Sequence, residues 1–231
     1  MISIQIQSAG YQQDKNIIQN IEFTIPKGHI VGLIGGNGAG KSTTIQTIME
    51  TIPHSRHKCE LTSYGYVPER PILYDYMTLW EHIHLLIQSN GQDKAQLEKR
   101  AMELCKVFRL ESKLQEYPIN FSKGMQQKVM LILAFAPKYD FYILDEPFMG
   151  LDPQAIRRLL TLIGDYKQQH ASFLISTHAL DTAEKLCDSF VCLHEGKMIR
   201  LGTLEELQGQ SSRTLLEIFD DLIEGVENAP L

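Results

Sequence analysis

Short apolar runs bounded by Gly, Asn or Pro recur toward both ends of the chain, and such runs are typical of buried β-strands. Eight of them predict strands: residues 2–6, 21–25, 30–34, 64–67, 141–144, 172–176, 190–193 and 198–201. Glu195-Gly196 is a turn signal between the last two runs and predicts a β-hairpin there. Helical segments alternate with these strands, so we expect a largely parallel sheet covered by helices on both faces.

The apolar residues change to helical spacing in the middle of the chain, from about Asp75 to Pro137. Thr78 and Glu81 have the T-x-x-E spacing of a capping box at the start of the first helix in this segment. The apolar stripes predict helices that pack on one another. Gln126 and Gln127 are expected on a helix surface.

Other helices are predicted outside this insert. Residues 41–49 follow a glycine-rich turn, and a later helix has Asp152 as its N-cap and Pro153 as its first residue. A capping box of Thr214 and Glu217 begins a helix in the tail, which we interpret as a packing element. We expect one domain with a core at about 1–68 and 138–207, a helical subdomain at about 69–137 and a C-terminal helical tail at about 208–231.

Composition and charge favour a folded cytosolic protein. The formal net charge of −6 argues against nucleic-acid binding, which needs clustered Lys and Arg. No run approaches the ~18 to 20 apolar residues that are needed to cross a bilayer. Apolar and polar residues alternate at the N-terminus, which is typical of a strand and not of a secretion signal. The four cysteines form no C-x-x-C pair. His54, His57 and Cys59 lack a fourth metal ligand and are interpreted as solvated loop residues.

One eight-residue run has the chemistry of a phosphate-binding loop. It fits G-x-x-x-x-G-K-[ST] without a gap and reads Gly35, Gly36, Asn37, Gly38, Ala39, Gly40, Lys41, Ser42. Its glycines let backbone N–H groups face a phosphate, and the helix that follows presents its positive end. Lys41 is expected to bind the outer phosphates of ATP and Ser42 to bind Mg²⁺, and Thr43 is the next residue of the site. The alternative is a glycine turn that binds no ligand.

A pair of carboxylates ends the strand predicted at residues 141–144. At the carboxyl edge of the sheet, Asp145 suits the Mg²⁺ shell, directly or through water, and Glu146 can accept a proton from an attacking water. By itself the pair would be interpreted as solvated loop acids. Together with the phosphate loop it predicts an ATPase.

The order of these motifs resembles the nucleotide-binding subunits of ABC transporters, over residues 4–207. Phe121-Ser122-Lys123-Gly124-Met125-Gln126-Gln127-Lys128 resembles the signature of that family, Gly150-Leu151-Asp152-Pro153 its D-loop, and Ser176-Thr177-His178 its switch-histidine strand end. Residues 121–130 and 145–153 are most similar to bacterial Ecs-type exporter ATPases. The resemblance implies a P-loop NTPase core with a mostly parallel sheet, a small antiparallel β part and an inserted helical subdomain.

The resemblance also implies roles for individual residues. Tyr11 stands where the family stacks an aromatic ring on adenine, with an ordinary surface tyrosine as the alternative. His178 would sense the γ-phosphate and would be a catalytic residue together with Glu146 and Lys41. The alternative is a histidine buried in the core. Glu69 replaces the usual glutamine of the loop that joins core and insert, yet a carboxylate still reaches Mg²⁺.

A mechanism that needs two copies follows from the family. Ser122 and Gly124 at a helix start would cap the γ-phosphate of ATP on a partner subunit, identical or closely related, and Asp152 would join this site. Hydrolysis would release the pair and drive a separate membrane permease, with this chain on the inner face of the cell membrane. Lys123 and Met125 depart from the commoner signature, and residues 51–63 are short where the family has an antiparallel hairpin.

Two other functions remain open. One is a soluble ABC ATPase of translation or DNA repair, which usually has two cassettes or a coiled coil and basic surfaces. The other is a regulatory cassette that binds ATP without hydrolysing it, a hypothesis that Glu69 favours and that Lys41, Asp145 and Glu146 disfavour.

Overall fold

The structure, a computed structural model, describes residues 1–13, 15–209 and 212–227. The chain forms two compact units. The first unit comprises Met1–Thr62 with Gln169–Leu231, and the second comprises Ser63–Gln168. The helical subdomain predicted at about 69–137 lies within the second unit, and the predicted boundaries of core, subdomain and tail stay a prediction.

The described residues contain nine strands and eight α-helices. In chain order they are β1 (Ile2–Gly10), β2 (Ile18–Ile25), β3 (Ile30–Ile34), α1 (Lys41–Ile48), β4 (His54–Cys59), β5 (Gly65–Val67), α2 (Leu79–Ser89), α3 (Lys94–Val107), α4 (Lys123–Phe135), β6 (Phe141–Asp145), α5 (Pro153–Gln168), β7 (Ser172–Thr177), α6 (Leu180–Leu186), β8 (Ser189–His194), β9 (Lys197–Gly202), α7 (Leu204–Gln208) and α8 (Leu215–Glu227). None of these helices is both long enough and apolar enough to span a bilayer.

The strands of the first unit lie in the order β4-β1-β2-β9-β8-β3-β7. Strand β3 pairs in parallel with β7 and β8, and every residue of β3 and β7 is buried. Strand β1 pairs antiparallel with β2 and β4. The hairpin of β8 and β9 turns at Glu195 and Gly196, both at positive φ. The predicted α/β fold, with parallel pairing and an antiparallel part, is confirmed.

The C-terminal helix α8 is a packing element of the first unit. Its buried residues Leu215, Ile218 and Phe219 join a cluster with residues of α6 and β8. The predicted capping box is present, because the Thr214 amide donates to Glu217 Oε2 at 2.8 Å and the Glu217 amide donates to Thr214 Oγ1 at 3.3 Å. This interpretation of the tail is confirmed.

The second unit contains the predicted helical insert together with β5, β6 and α5. Helices α2, α3 and α4 pack on one another through their buried faces, as their apolar stripes predict. The capping box of Thr78 and Glu81 is present at the start of α2. Arg100 of α3 donates to the carbonyl of Ala136 at 2.9 Å, which satisfies an acceptor at the end of α4.

Two sequence interpretations are wrong. His54, His57 and Cys59 do not lie in a loop, because they belong to β4, whose backbone pairs with β1. A single strand therefore occupies the stretch where the family has a hairpin. Gln127 is not exposed on a helix surface, because its exposed fraction is only 2%. Among the described residues its Nε2 atom has no hydrogen-bond partner.

Candidate functional site

The phosphate loop lies in the first unit, between β3 and α1. Strand β3 ends at Ile34, and α1 begins at Lys41 with no side-chain cap and no acidic residue in its first turn. The first N–H groups of a helix have no acceptor within the helix. An uncapped, positive helix end thus faces the loop, which is the arrangement that phosphate groups bind.

Glycines shape this loop in two ways. Gly38 and Gly40 have φ values of 79° and 104°, a left-handed backbone that side chains disfavour. At Gly35 a Cβ atom would lie 2.7 Å from the carbonyl oxygen of Leu193, and at Gly40 it would lie 2.6 Å from Ile18 Cγ2. The loop is therefore a cradle whose course depends on the absence of side chains.

The loop exposes its middle and buries its ends. Lys41 is buried, and its Nζ donates to the carbonyls of Gly35 at 2.7 Å and Gly36 at 3.3 Å. Its ammonium group thus lies over the loop, where an outer phosphate would be held. Gly36, Asn37 and Gly38 are exposed, Ser42 is half-buried, and Gly35, Ala39, Gly40 and Thr43 are buried.

Tyr11 and His178 lie in the same unit as the loop. Tyr11 follows β1, is half exposed, and donates from its hydroxyl to Gln46 Oε1 of α1 at 2.6 Å. In the β3–β7 pair, Ile34 lies opposite Thr177, so Gly35 and His178 follow at the same edge of the sheet. His178 is exposed, and the alternative of a core histidine is wrong.

The carboxylate pair lies in the second unit, at the end of β6. Asp145 is 4% exposed and Glu146 is 7% exposed, so neither is a solvated loop acid. Glu146 has a φ of 49°, a left-handed conformation that is uncommon outside glycine and costs about 1 kcal/mol or more. The sequence gives no signal for this conformation. Strained backbone clusters at functional sites, but five other described non-glycine residues of this chain also have positive φ, so the burial of Glu146 is needed to single it out.

Glu69 belongs to the same edge as this pair. Strand β5 runs parallel to β6 with Val67 opposite Leu144, so Glu69 follows β5 where Asp145 and Glu146 follow Leu144. Burial, and then the negative charges of Asp145 and Glu69, raise the pKa of the Tyr66 hydroxyl to about 12. The neutral phenol of Tyr66 therefore lies among these acids, a neighbour that sequence reasoning missed.

The signature segment begins α4. Ser122 is its N-cap, and the Ser122 hydroxyl accepts from the amide of Met125 at 3.3 Å. A Cβ atom at Gly124 would lie 2.3 Å from the carbonyl oxygen of Gly150, which itself has a φ of 75°. Gly124 thus allows the loop after Glu146 to approach the start of α4.

Asp152 connects the same two segments through its charge. Its Oδ1 accepts from the amide of Ala155 at 2.9 Å, which confirms it as the N-cap of α5. Its Oδ2 accepts from Lys128 Nζ of α4 at 2.6 Å. The bond from Lys128, and then the bond from the backbone, hold the pKa of this carboxyl at about 2. Lys128 was not singled out from the sequence, because its partner lies 24 residues away.

The predicted site residues are thus distributed over both units. The first unit contains Tyr11, Gly35, Gly36, Asn37, Gly38, Ala39, Gly40, Lys41, Ser42, Thr43 and His178. The second unit contains Glu69, Ser122, Gly124, Asp145, Glu146 and Asp152.

Each unit offers side-chain oxygens of the type that Mg²⁺ takes: Ser42 in the first unit, and Asp145 and Glu69 in the second. In the part of the chain that the structure describes, no group of three or more His, Cys, Asp or Glu residues could hold a metal ion by itself. Mg²⁺ binds through one or two protein ligands together with water and substrate phosphates, so Ser42, Asp145 and Glu69 suit it without such a group.

Known proteins are similar to this chain in sequence and in fold. A family profile described as ABC transporter matches residues 18–149. The ABC-type transporter ATP-binding protein EcsA of Bacillus subtilis (strain 168) is 43% identical over 223 residues, 91% of this chain and 90% of EcsA. A solved ATP binding subunit of an ABC transporter is 39% identical with a TM-score of 0.92, over 96% of this chain and 99% of that one. The dimeric ATP-binding cassette MJ0796, solved in a post-hydrolysis state with ADP and Pi, has a TM-score of 0.75 at 20% identity, over 88% of this chain and 99% of its own, and shows the fold alone.

Replacing Gly124 by Ala should destabilise the second unit. The added Cβ would meet the Gly150 carbonyl at 2.3 Å, so the two segments must separate, at about 1–3 kcal/mol. Gly164→Ala is the matched control, because a Cβ there meets nothing within 4 Å and helix α5 should gain up to about 1 kcal/mol. Urea unfolding measures both variants. Equal stability of the two variants would contradict the close approach.

Replacing Lys128 by Met should raise the pKa of Asp152 from about 2 toward the ordinary value of about 4. The pKa of Asp152 is lower in the folded protein than in the unfolded chain. The ion pair of Lys128 and Asp152 therefore stabilises the folded protein above about pH 4, and this stability is lost as the pH falls through about 2. Carboxyl NMR titration measures the pKa directly. Lys113→Met, which removes a partner of Glu116, is the control and should leave Asp152 unchanged. An unaltered Asp152 titration in Lys128→Met would show that the ion pair does not form.

Proposed function

This chain belongs to the ABC transporter family of ATP-binding proteins, and we propose that it hydrolyses ATP to power an exporter through a separate membrane permease. The observation that carries the proposal is the buried pair of Asp145 and Glu146, with Glu146 in a strained backbone. Strain and buried charge are retained where chemistry needs them, whereas a cassette that only binds nucleotide has no need of Glu146. Exporter direction is supported by the Ecs-type motifs at residues 121–130 and 145–153.

The residues divide the work on ATP. Lys41 and the amides of residues 35–43 bind and orient the phosphates, and the ring of Tyr11 stacks on the adenine. Ser42, Asp145 and Glu69 would hold Mg²⁺, and the ion would offset the negative charge of the outer phosphates. Glu146 accepts the proton of the attacking water at its carboxylate. His178 contacts the γ-phosphate from the strand end beside Gly35.

Two copies of the chain enclose each nucleotide in this proposal. Ser122 is the N-cap of α4 and Gly124 lies in its first turn, so the positive end of this helix suits a γ-phosphate on a partner copy. The dimeric MJ0796 structure, with ADP and Pi, supports this arrangement by analogy of fold. ATP binding would then join two cassettes and hydrolysis would separate them. The partner copy is this chain or a close relative.

Replacing Glu146 by Gln tests the chemistry. The amide cannot accept the proton, so phosphate release should fall at least 100-fold while ATP binding persists. ATP-bound dimers should accumulate and appear by size-exclusion chromatography with multi-angle light scattering. Glu98→Gln on the exposed side of α3 is the control and should turn over normally.

Rapid turnover by a monomeric Glu146→Gln protein would contradict the proposed mechanism. The phosphate-release assay also distinguishes the proposed function from the alternative of a regulatory cassette, which Glu69 favours. Such a cassette would release no phosphate even with Glu146 intact.

A patch on the second unit suits a cytoplasmic segment of the permease. Ile72, Tyr74 and Tyr76 before α2 are exposed, so none of them belongs to the core. Next along the chain is a groove of about 400 Å³ along α2, lined by Met77, Trp80, Glu81, His84, Leu85 and Gln88. Exposed aromatic and aliphatic side chains beside a groove are typical of protein–protein anchors. Docking here would keep the chain at the inner face of the membrane.

Replacing Tyr76 by Ala should weaken binding to the permease without harming the fold. Tyr76 is 91% exposed, so its ring stabilises little within the subunit and is available as an anchor. The expected result is a loss of co-purification with the permease from membranes at unchanged ATP affinity. Tyr117→Ala, at a tyrosine 46% exposed elsewhere in the second unit, is the control. Retained co-purification, or equal loss in both variants, would exclude this patch as the docking surface.

A further inference from the structure

The helix that begins at the phosphate loop also holds Tyr11. The Tyr11 hydroxyl donates to Gln46 Oε1 at 2.6 Å, and Gln46 lies five residues after Lys41 in α1. The bond joins residues that are 35 positions apart in the sequence. One rigid element therefore carries the phosphate-binding lysine at its start and a contact to the aromatic ring in its second turn.

Helix α1 leaves one open stripe. Of its eight residues, all described, six are buried, and Ser42 and Gln46 are the two that are not. Residues four apart lie on the same face of a helix, about 6 Å apart along its axis. The stripe thus runs from the Mg²⁺ ligand Ser42 to the residue that holds Tyr11.

Closing the turn between β1 and β2 does not depend on this bond. The Ile17 amide donates to the Ala9 carbonyl at 2.7 Å, and the Lys15 amide donates to the Gln12 carbonyl at 3.2 Å. Gly10 lets the chain fold back, because a Cβ there would lie 2.0 Å from the Lys15 carbonyl oxygen. Because the backbone holds the turn by itself, the Tyr11–Gln46 bond is not needed to close it. The bond instead fixes the direction of the Tyr11 ring.

A half-exposed tyrosine in a turn can adopt several rotamers, and a bond at the far end of its ring selects one of them. A ring that is already oriented loses less entropy when a planar base stacks on it.

We infer that Gln46 is a positioning residue that aims Tyr11 at the base of the nucleotide, at a fixed distance from the phosphate loop. This inference rests on the proposed stacking of Tyr11 on adenine. It assigns to Gln46 the selectivity of the site for a nucleotide over a bare polyphosphate. Gln46 acts through Tyr11 and touches no reacting atom.

The test compares ADP with inorganic pyrophosphate, each with Mg²⁺, by isothermal titration calorimetry on the full chain. Neither ligand is turned over in the hydrolysis cycle, and pyrophosphate lacks the base. Tyr11→Phe and Gln46→Leu each remove the bond and leave the ring. Each should weaken ADP binding about three- to tenfold and pyrophosphate binding less than about twofold.

Three further variants sharpen the result. The double variant Tyr11→Phe with Gln46→Leu should lose no more than either single variant, because both remove the same bond. Gln46→Glu keeps an oxygen acceptor and should preserve the ratio of ADP to pyrophosphate affinity, since its charge acts on both ligands. Gln96→Leu, at an exposed glutamine of α3, is the matched control and should bind both ligands normally.

The outcomes separate this inference from the proposed function. If Tyr11→Ala lowers the affinity ratio and Gln46→Leu does not, Tyr11 stacks on the base and the role of Gln46 is excluded. If Gln46→Leu weakens both ligands equally, it disturbs the phosphate loop, and the inference fails as well. If Tyr11→Ala leaves the ratio unchanged, the stacking itself is wrong.

Discussion

Parallel pairing between buried strands determines where the chemistry of each unit lies. Strand β3 is in register with β7, so Gly35 and His178 leave the sheet side by side. Strand β5 is in register with β6, so Glu69 leaves it beside the carboxylates of Asp145 and Glu146. The side chains within these strands are almost all buried, and slipping the register by one residue would exchange their faces. Within each unit, a register specified in this way brings residues from distant parts of the sequence to the same edge of the sheet.

Glycine residues let backbone segments approach each other closely, both at the end of β3 and at the start of α4. Gly35 lies against the carbonyl of Leu193, and Gly124 lies against the carbonyl of Gly150. In both places a methyl group would overlap a backbone oxygen, which cannot move as a side chain can. The resemblance to the family implies that Gly124 contacts a nucleotide on another subunit. Within the chain it also lets the loop that ends at Asp152 approach α4, and Lys128 adds an ion pair across the same two segments.

Burial separates the acids to which we assign a role in hydrolysis from the acid that supports structure. Asp145 and Glu146 are buried, and burial together with the charge of Asp145 raises the pKa of the Tyr66 phenol to about 12. Asp152 is exposed, and both of its oxygens are bonded, one to Lys128 and one to the start of α5. Its contact with a nucleotide stays a prediction, since its charge already has a structural role. Glu146 differs again, because its left-handed backbone is a local cost that the surrounding fold must offset.

The sequence by itself determined the features that depend on neighbouring residues. The phosphate loop, the caps at Thr78, Asp152 and Thr214, and most strands could be predicted, because their signals are local spacings of glycine, cap residues and apolar side chains. Tertiary structure alone decided the strand at His54–Cys59, whose polar sequence becomes a strand through pairing with β1. It also decided the burial of Gln127 and the bonds of Tyr11 to Gln46 and of Lys128 to Asp152. Their partners lie far away in the sequence, and only folding brings such groups within bonding distance.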